Sequence, residues 1–119
     1  MATRAVTPTY APNGQGNGVL VEWTGLLNGD DGTPFEGVDF ADRTVQIGGT
    51  FGTGGSITLQ GSNDGSQWGA LTDPQGNAIT KTAAGLEVVA ENPRYVRPIV
   101  TAGDGSTSLS VRIWARRPR

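Results

Sequence analysis

The sequence predicts an all-β fold, a small antiparallel β-sandwich of about eight strands in a jelly roll, with an extended N-terminal arm. Three observations predict it. Short runs alternate apolar and polar residues, the pattern of strands with one buried face. Turn signals built on glycine separate those runs at intervals of roughly 8–12 residues. The chain has 119 residues and 19 glycines, but only 31 of its side chains other than alanine can fill an apolar core. That is enough for one thin, turn-rich domain.

Residues 1–18 carry Pro8, Pro12 and three glycines without any apolar period, and they read as the extended arm. Residues 19–119 read as the β-sandwich domain, ending in a basic tail. Val19, Val21 and Trp23 share one face of the first strand, with Leu20 and Glu22 on the other. Val45 and Ile47 alternate with Thr44 and Gln46, and Ile57 and Leu59 with Ser56, Thr58 and Gln60. Residues 86–91 suit a strand, because Gly85 and Pro93 leave too little length for a stable helix. Val96 and Val100 lie opposite Tyr95, Arg97 and Ile99, and Pro98 there points to an edge strand or a bulge. In the last strand Leu109, Val111, Ile113 and Ala115 face inward, leaving Ser110, Arg112, Trp114 and Arg116 outside. Asn28-Gly29, Asp31-Gly32, Asp64-Gly65 and Asp104-Gly105 are among the turn signals between these runs.

Composition excludes several chemistries. With no Cys and no His, disulfides, thiolate metal sites, Cys nucleophiles and His-based acid–base catalysis are absent. No carboxylate pair stands out for catalysis, so the chain is not expected to be an enzyme. The net charge is −2, which speaks against indiscriminate nucleic-acid binding. Residues 1–111 carry a net −6, and Arg112, Arg116, Arg117 and Arg119 restore +4. An acidic protein surface is therefore the expected target of that tail. Apolar runs are far shorter than a membrane span or a signal core, so the chain reads as soluble and unprocessed.

Four constellations invite a functional reading. In Ser62-Asn63-Asp64-Gly65-Ser66-Gln67-Trp68, Asn63, Asp64 and Gly65 suit a structural turn, with Trp68 lying over it to hold two strands. The rival is a sugar platform, which needs an exposed aromatic face beside hydrogen-bonding groups. The stretch from Asn28 to Asp39 starts like a calcium loop and then fails, with Gly32 and Thr33 at the wrong places. A solvated loop is expected there, with Asp30, Asp31, Asp39 and Asp42 as the residues to check; no metal or other cofactor is expected. The run Gly48–Gly55 lacks phosphate-loop spacing and reads as a turn with Phe51 packed inward. Finally, Arg112, Trp114 and Arg116 share the outward face of the last strand, a cation–π row of residue types enriched at binding hot spots. Trp114 is either such a contact or is covered by a loop or by the arm.

Several motifs in order carry a resemblance: Trp23-Thr24-Gly25-Leu26-Leu27-Asn28-Gly29-Asp30, Asp42-Arg43-Thr44-Val45-Gln46, Gly49-Thr50-Phe51-Gly52, the Gly61–Trp68 turn, Leu71-Thr72-Asp73-Pro74-Gln75-Gly76-Asn77 and Arg94-Tyr95-Val96-Arg97-Pro98. Over roughly residues 19–117 the chain resembles the jelly-roll decoration, or cement, proteins of tailed bacteriophages. That resemblance implies a structural virion protein on the outer capsid surface, made in the host cytoplasm. Its partners would be the phage major capsid protein and neighbouring copies of itself, with no nucleic acid and no membrane. Arg4, Val6, Pro8 and Tyr10 are expected to lie extended against a capsid subunit or sister copy, with Trp114 and the arginines from Arg112 onward as the anchored contact. The alternative is a carbohydrate- or receptor-binding sandwich of a phage tail or fibre.

Overall fold

A computed structural model describes residues 2–10, 18–37 and 40–117. Among the described residues there are twelve strands and no helix. The first two are β1 (Thr3–Arg4) and β2 (Thr7–Tyr10), followed by β3 (Gly18–Leu26), β4 (Asp31–Gly32) and β5 (Phe35–Glu36). Then come β6 (Asp42–Thr50), β7 (Ser56–Ser62), β8 (Gly69–Ala70) and β9 (Thr80–Lys81). The chain closes with β10 (Gly85–Val88), β11 (Tyr95–Ala102) and β12 (Ser108–Arg116).

Two sheets face each other. One runs β10-β6-β12-β3-β2, the other β1-β4-β11-β7-β8, with β5 also on β11 and β9 also on β7. Counting β4 with β5, and β8 with β9, as single interrupted positions leaves eight, once the arm strands β1 and β2 are set aside. Those eight form the four-strand sheets β3-β12-β6-β10 and β4/β5-β11-β7-β8/β9, and the chain changes sheet at every connection except β7 to β8. This is the jelly-roll order. The expected eight strands become twelve because two positions are broken and the arm adds two.

The period-2 faces meet in one core. Val19, Val21, Trp23, Val45, Ile47, Ile57, Leu59, Val96, Val100, Leu109, Val111 and Ile113 are all buried, each at 2% exposure or less. Trp23 is the largest of them, and its indole Nε1 donates to the Thr33 carbonyl at 2.9 Å, so its one polar atom is satisfied inside.

The arm is laid on its own sandwich. β1 pairs in parallel with β4, Thr3 opposite Asp31, while β2 pairs antiparallel with β3, Pro8 opposite Val21. The arm thus crosses from one sheet to the other on the same side of the molecule, and Val6 between its strands packs against the core.

Four expectations need correction. Pro98 is not on an edge strand, since β11 is flanked by β7 and by β4 and β5, and the irregularity in the β11–β7 ladder falls beyond it at Val100–Ala102. Tyr95 and Val96 pair with β5, and Ile99 pairs with β4, so Pro98 lies against Gly32 at the break between the two, where its missing N–H interrupts neither pairing. The strand expected over 86–91 spans Gly85–Val88, and Val89 turns inward to 5% exposure. Asp31-Gly32 is the strand β4 rather than a turn, and Gly48 to Thr50 continue β6, which confines the turn to residues 51–55. Phe51 is half-buried against the core.

Candidate functional site

Three exposed large apolar side chains, Leu86, Val88 and Trp114, share the outer face of the sheet β10-β6-β12-β3-β2. The register builds it in rows, because paired residues of neighbouring strands point to the same side. One row runs Thr9, Leu20, Trp114, Thr44, Val88, and the next runs Thr7, Glu22, Arg112, Gln46, Leu86. Trp114 is 41% exposed, Val88 48% and Leu86 66%, with half-buried Leu20 beside them. The Trp114 ring lies over Gly18, where a Cβ would sit 2.6 Å from the ring. A side chain at Gly18 would lift the indole off the sheet. Trp114 is therefore partly exposed and held flat against the sheet, beside Leu20 and Thr44.

The arginines flanking Trp114 do not stack on it, contrary to the expected cation–π row. Arg112 donates to Glu22 at 2.8 Å and Arg116 to Asp42 at 2.5 Å. Both carboxylates are cross-strand partners in the ladder. Directly opposed residues have Cβ atoms about 4.5–5.5 Å apart, closer than residues two apart on one strand, about 6.6 Å, so the carboxylates win the guanidinium groups. The result is a face whose charges are already neutralised in pairs and whose unspent character is apolar.

The other residues named from the sequence fall in three places. Arg4 is held by Asp30, its Nε donating to Oδ2 at 2.8 Å. Asp30 is 3% exposed and also accepts from the amides of Ala2 at 2.8 Å and Leu27 at 2.9 Å. Burial alone would raise the Asp30 carboxyl, but the Leu27 amide, Arg4 and the Ala2 amide outweigh it and hold the group below the usual carboxylate range. Pro8 and Tyr10 are exposed on β2, and the Tyr10 ring stands 6.2 Å from Phe40. The Arg117 guanidinium lies 5.4 Å from the centre of that same Phe40 ring. Arg119 and Asp39 lie outside the described residues.

The turn at 63–68 is built around Asp64, which accepts from the Ser62 hydroxyl and from the amides of Ser66 and Gln67 at 2.8–2.9 Å. These donors, the Gln67 amide foremost, hold its carboxyl below the ordinary range. Gly65 takes φ 78°, the left-handed turn conformation. Asn63 accepts from the Arg94 amide, and Arg97 stacks 4.1 Å from the centre of the Trp68 ring. Asp64 thus closes the turn on itself, and Trp68 lies against Arg97 of β11. Beside it opens a shallow groove of about 470 Å³, edged by the amides of Asn63, Gln67 and Asn92.

The acidic stretch spends its carboxylates on the fold. Asp31 accepts from Thr3 at 2.7 Å and pairs with Arg97 at 3.5 Å, and Asp42 pairs with Arg116. Among the described residues no three acidic side chains converge on a point that could hold a metal ion.

No protein-family model matches this chain, and no curated protein matches it in sequence. Among solved structures, the SPBc2 prophage-derived protein YomS is similar with a TM-score of 0.63 at 15% identity, over 82% of this chain and 93% of that one. The Cnp3 cupin domain of Schizosaccharomyces pombe has a TM-score of 0.47 at 6% identity, over 95% of this chain and 61% of that one. Peruvianin-I, a cysteine peptidase from Thevetia peruviana latex, also has a TM-score of 0.47, at 14% identity over 94% of this chain and 61% of that one. The likeness to YomS is one of fold, and a prophage-derived protein has the same β architecture.

Proposed function

We propose that this chain is a structural virion protein of a tailed phage, a decoration protein that binds the outside of the assembled capsid and cements contacts between major capsid protein subunits. The observation that carries the reading is the outer sheet face, where Trp114, Val88 and Leu86 are exposed beside half-buried Leu20 while its arginines are neutralised. An exposed aromatic with aliphatic neighbours on one face, its charges already paired, is typical of a protein contact. The motif resemblance points to the same role, and the YomS fold is compatible with it.

The mechanism is linkage rather than chemistry. A protein that binds only the assembled shell stabilises it by mass action, by about 2.7 kcal/mol per site at a hundredfold excess over Kd. Such a protein needs a rigid body and one sticky face. The jelly roll supplies the first and the β12 face the second. Cosedimentation with expanded empty capsids tests the reading: saturable pelleting supports it, and absence of pelleting refutes it.

A glycan-binding role is the second reading, favoured by the amide-lined groove at Asn63, Gln67 and Asn92. Trp68 does not line that groove and carries Arg97 against its ring, so the groove offers no aromatic stacking surface. Binding on a glycan array with loss in Gln67→Ala would favour this role over the capsid.

A further inference from the structure

Four Asn-Gly or Asp-Gly steps lie wholly within the described residues: Asn28-Gly29, Asp31-Gly32, Asp64-Gly65 and Asp104-Gly105. At such a step the glycine nitrogen, with no Cβ beside it, has access to the side-chain carbonyl carbon of the residue before it. The fold protects three of the four. An ionised carboxylate is a poor electrophile, and Asp64 is held in that form by the Gln67 and Ser66 amides and the Ser62 hydroxyl. Asp104 is held likewise by the Ser106 hydroxyl at 2.7 Å and the Thr53 and Ser106 amides at 2.8 Å, well below the ordinary carboxylate range. At Asp31 the glycine is buried against Trp23 and Pro98.

Asn28 has none of this protection. Its side chain is neutral, exposed and held by one long bond, Nδ2 donating to the Gly103 carbonyl at 3.3 Å. The Gly29 amide makes no hydrogen bond among the described residues, and a Cβ built on Gly29 would meet nothing within 4 Å. The other described asparagines are less exposed to this chemistry. Asn63 accepts from the Arg94 amide, Asn77 precedes alanine, and Asn92 precedes Pro93, whose nitrogen carries no proton.

We propose that Asn28 is a site of spontaneous deamidation and that this change loosens the N-terminal arm. The Gly29 nitrogen loses its proton to hydroxide and attacks Asn28 Cγ. The N–Cγ bond forms, the Cγ–Nδ2 bond breaks, and Nδ2 takes up a proton and leaves as ammonia. Water then adds to either carbonyl of the cyclic imide and opens it to aspartate or isoaspartate. Both products set a carboxylate in place of the amide that donated to Gly103, so that bond is lost. Isoaspartate also adds a main-chain methylene between Leu27 and Asp30, which bond each other in both directions at 2.9 Å. That reciprocal pair aims the Asp30 carboxylate at Arg4 and the Ala2 amide, so a lengthened turn misplaces the anchor of the arm.

The test does not depend on the capsid reading. The ¹⁵N-labelled protein is aged in mildly alkaline buffer beside a mildly acidic control, in which the Gly29 proton stays in place. The side-chain amide resonances of Asn28 should disappear from the alkaline sample alone. Peptide mapping should find aspartate and isoaspartate at position 28, resolved from Asn13 and Asn17, which also precede glycine and lie outside the described residues. Amide exchange of residues 3–10 should then be at least about fivefold faster than in fresh protein. Asn28→Ser cannot form the imide, so its arm should stay protected through the same ageing. Survival of the Asn28 amide, conversion that leaves exchange in the arm unchanged, or equal loosening in Asn28→Ser would each overturn the proposal.

Discussion

Asp30 decides where the N-terminal arm lies. Its carboxylate gathers Arg4, the Ala2 amide and the Leu27 amide, and its carbonyl accepts from the Val100 amide at 2.8 Å. Asp30→Ala strands those donors and should cost roughly 2–3 kcal/mol in urea unfolding. Arg4→Ala should cost only about 0.5–1 kcal/mol, because Arg4 is 37% exposed and its ion pair is screened. The pH dependence follows from the direction of the shift. Asp30 has a folded value below its unfolded value of about 3.9, so its contribution is complete above that pH and is lost as pH falls through the lower folded value. Amide exchange of residues 3–10 should accelerate over that acidic window, and Asp30→Asn should flatten the dependence. Arg4 was expected to contact a partner. Its own-chain partner lies 26 residues away with no periodic signal between them, so nothing local in the sequence announces the pair.

At the scale of elements, the inward faces were legible and the pairing was not. Val19, Val21 and Trp23 alternate with polar residues, and period 2 is a local property that one strand reveals by itself. Trp23→Ala should therefore cost about 3–5 kcal/mol, since a fully buried indole leaves a cavity and an unpartnered Thr33 carbonyl. Which strand lies beside which is a long-range fact, and the opposition of Glu22 to Arg112 and of Asp42 to Arg116 exists only through register. The outward positions of Arg112, Trp114 and Arg116 could be read, but their partners could not. The turn at 63–68 was legible because its chemistry is local: Gly65→Ala at φ 78° should destabilise the fold by about 1 kcal/mol. The arm was legible as extended chain, though not as two strands closing one side of both sheets. Removing residues 2–10 takes Val6 from the core's edge and should lower stability by about 2 kcal/mol while the eight-position jelly roll persists.

For the whole molecule, the glycines and the thin core fit one design. Short strands and tight turns give a rigid body, and three of the exposed apolar residues, Leu86, Val88 and Trp114, share one sheet face. The proposed capsid contact rests on the Trp114 face. Quantitative cosedimentation of wild type and Trp114→Ala with expanded capsids tests it most directly, with matched denaturation curves establishing that both are folded. The account predicts saturable binding of wild type and a loss of affinity of about tenfold or more in the variant, as expected for a central aromatic contact. Equal occupancy of the two proteins, or no binding by either, would contradict it.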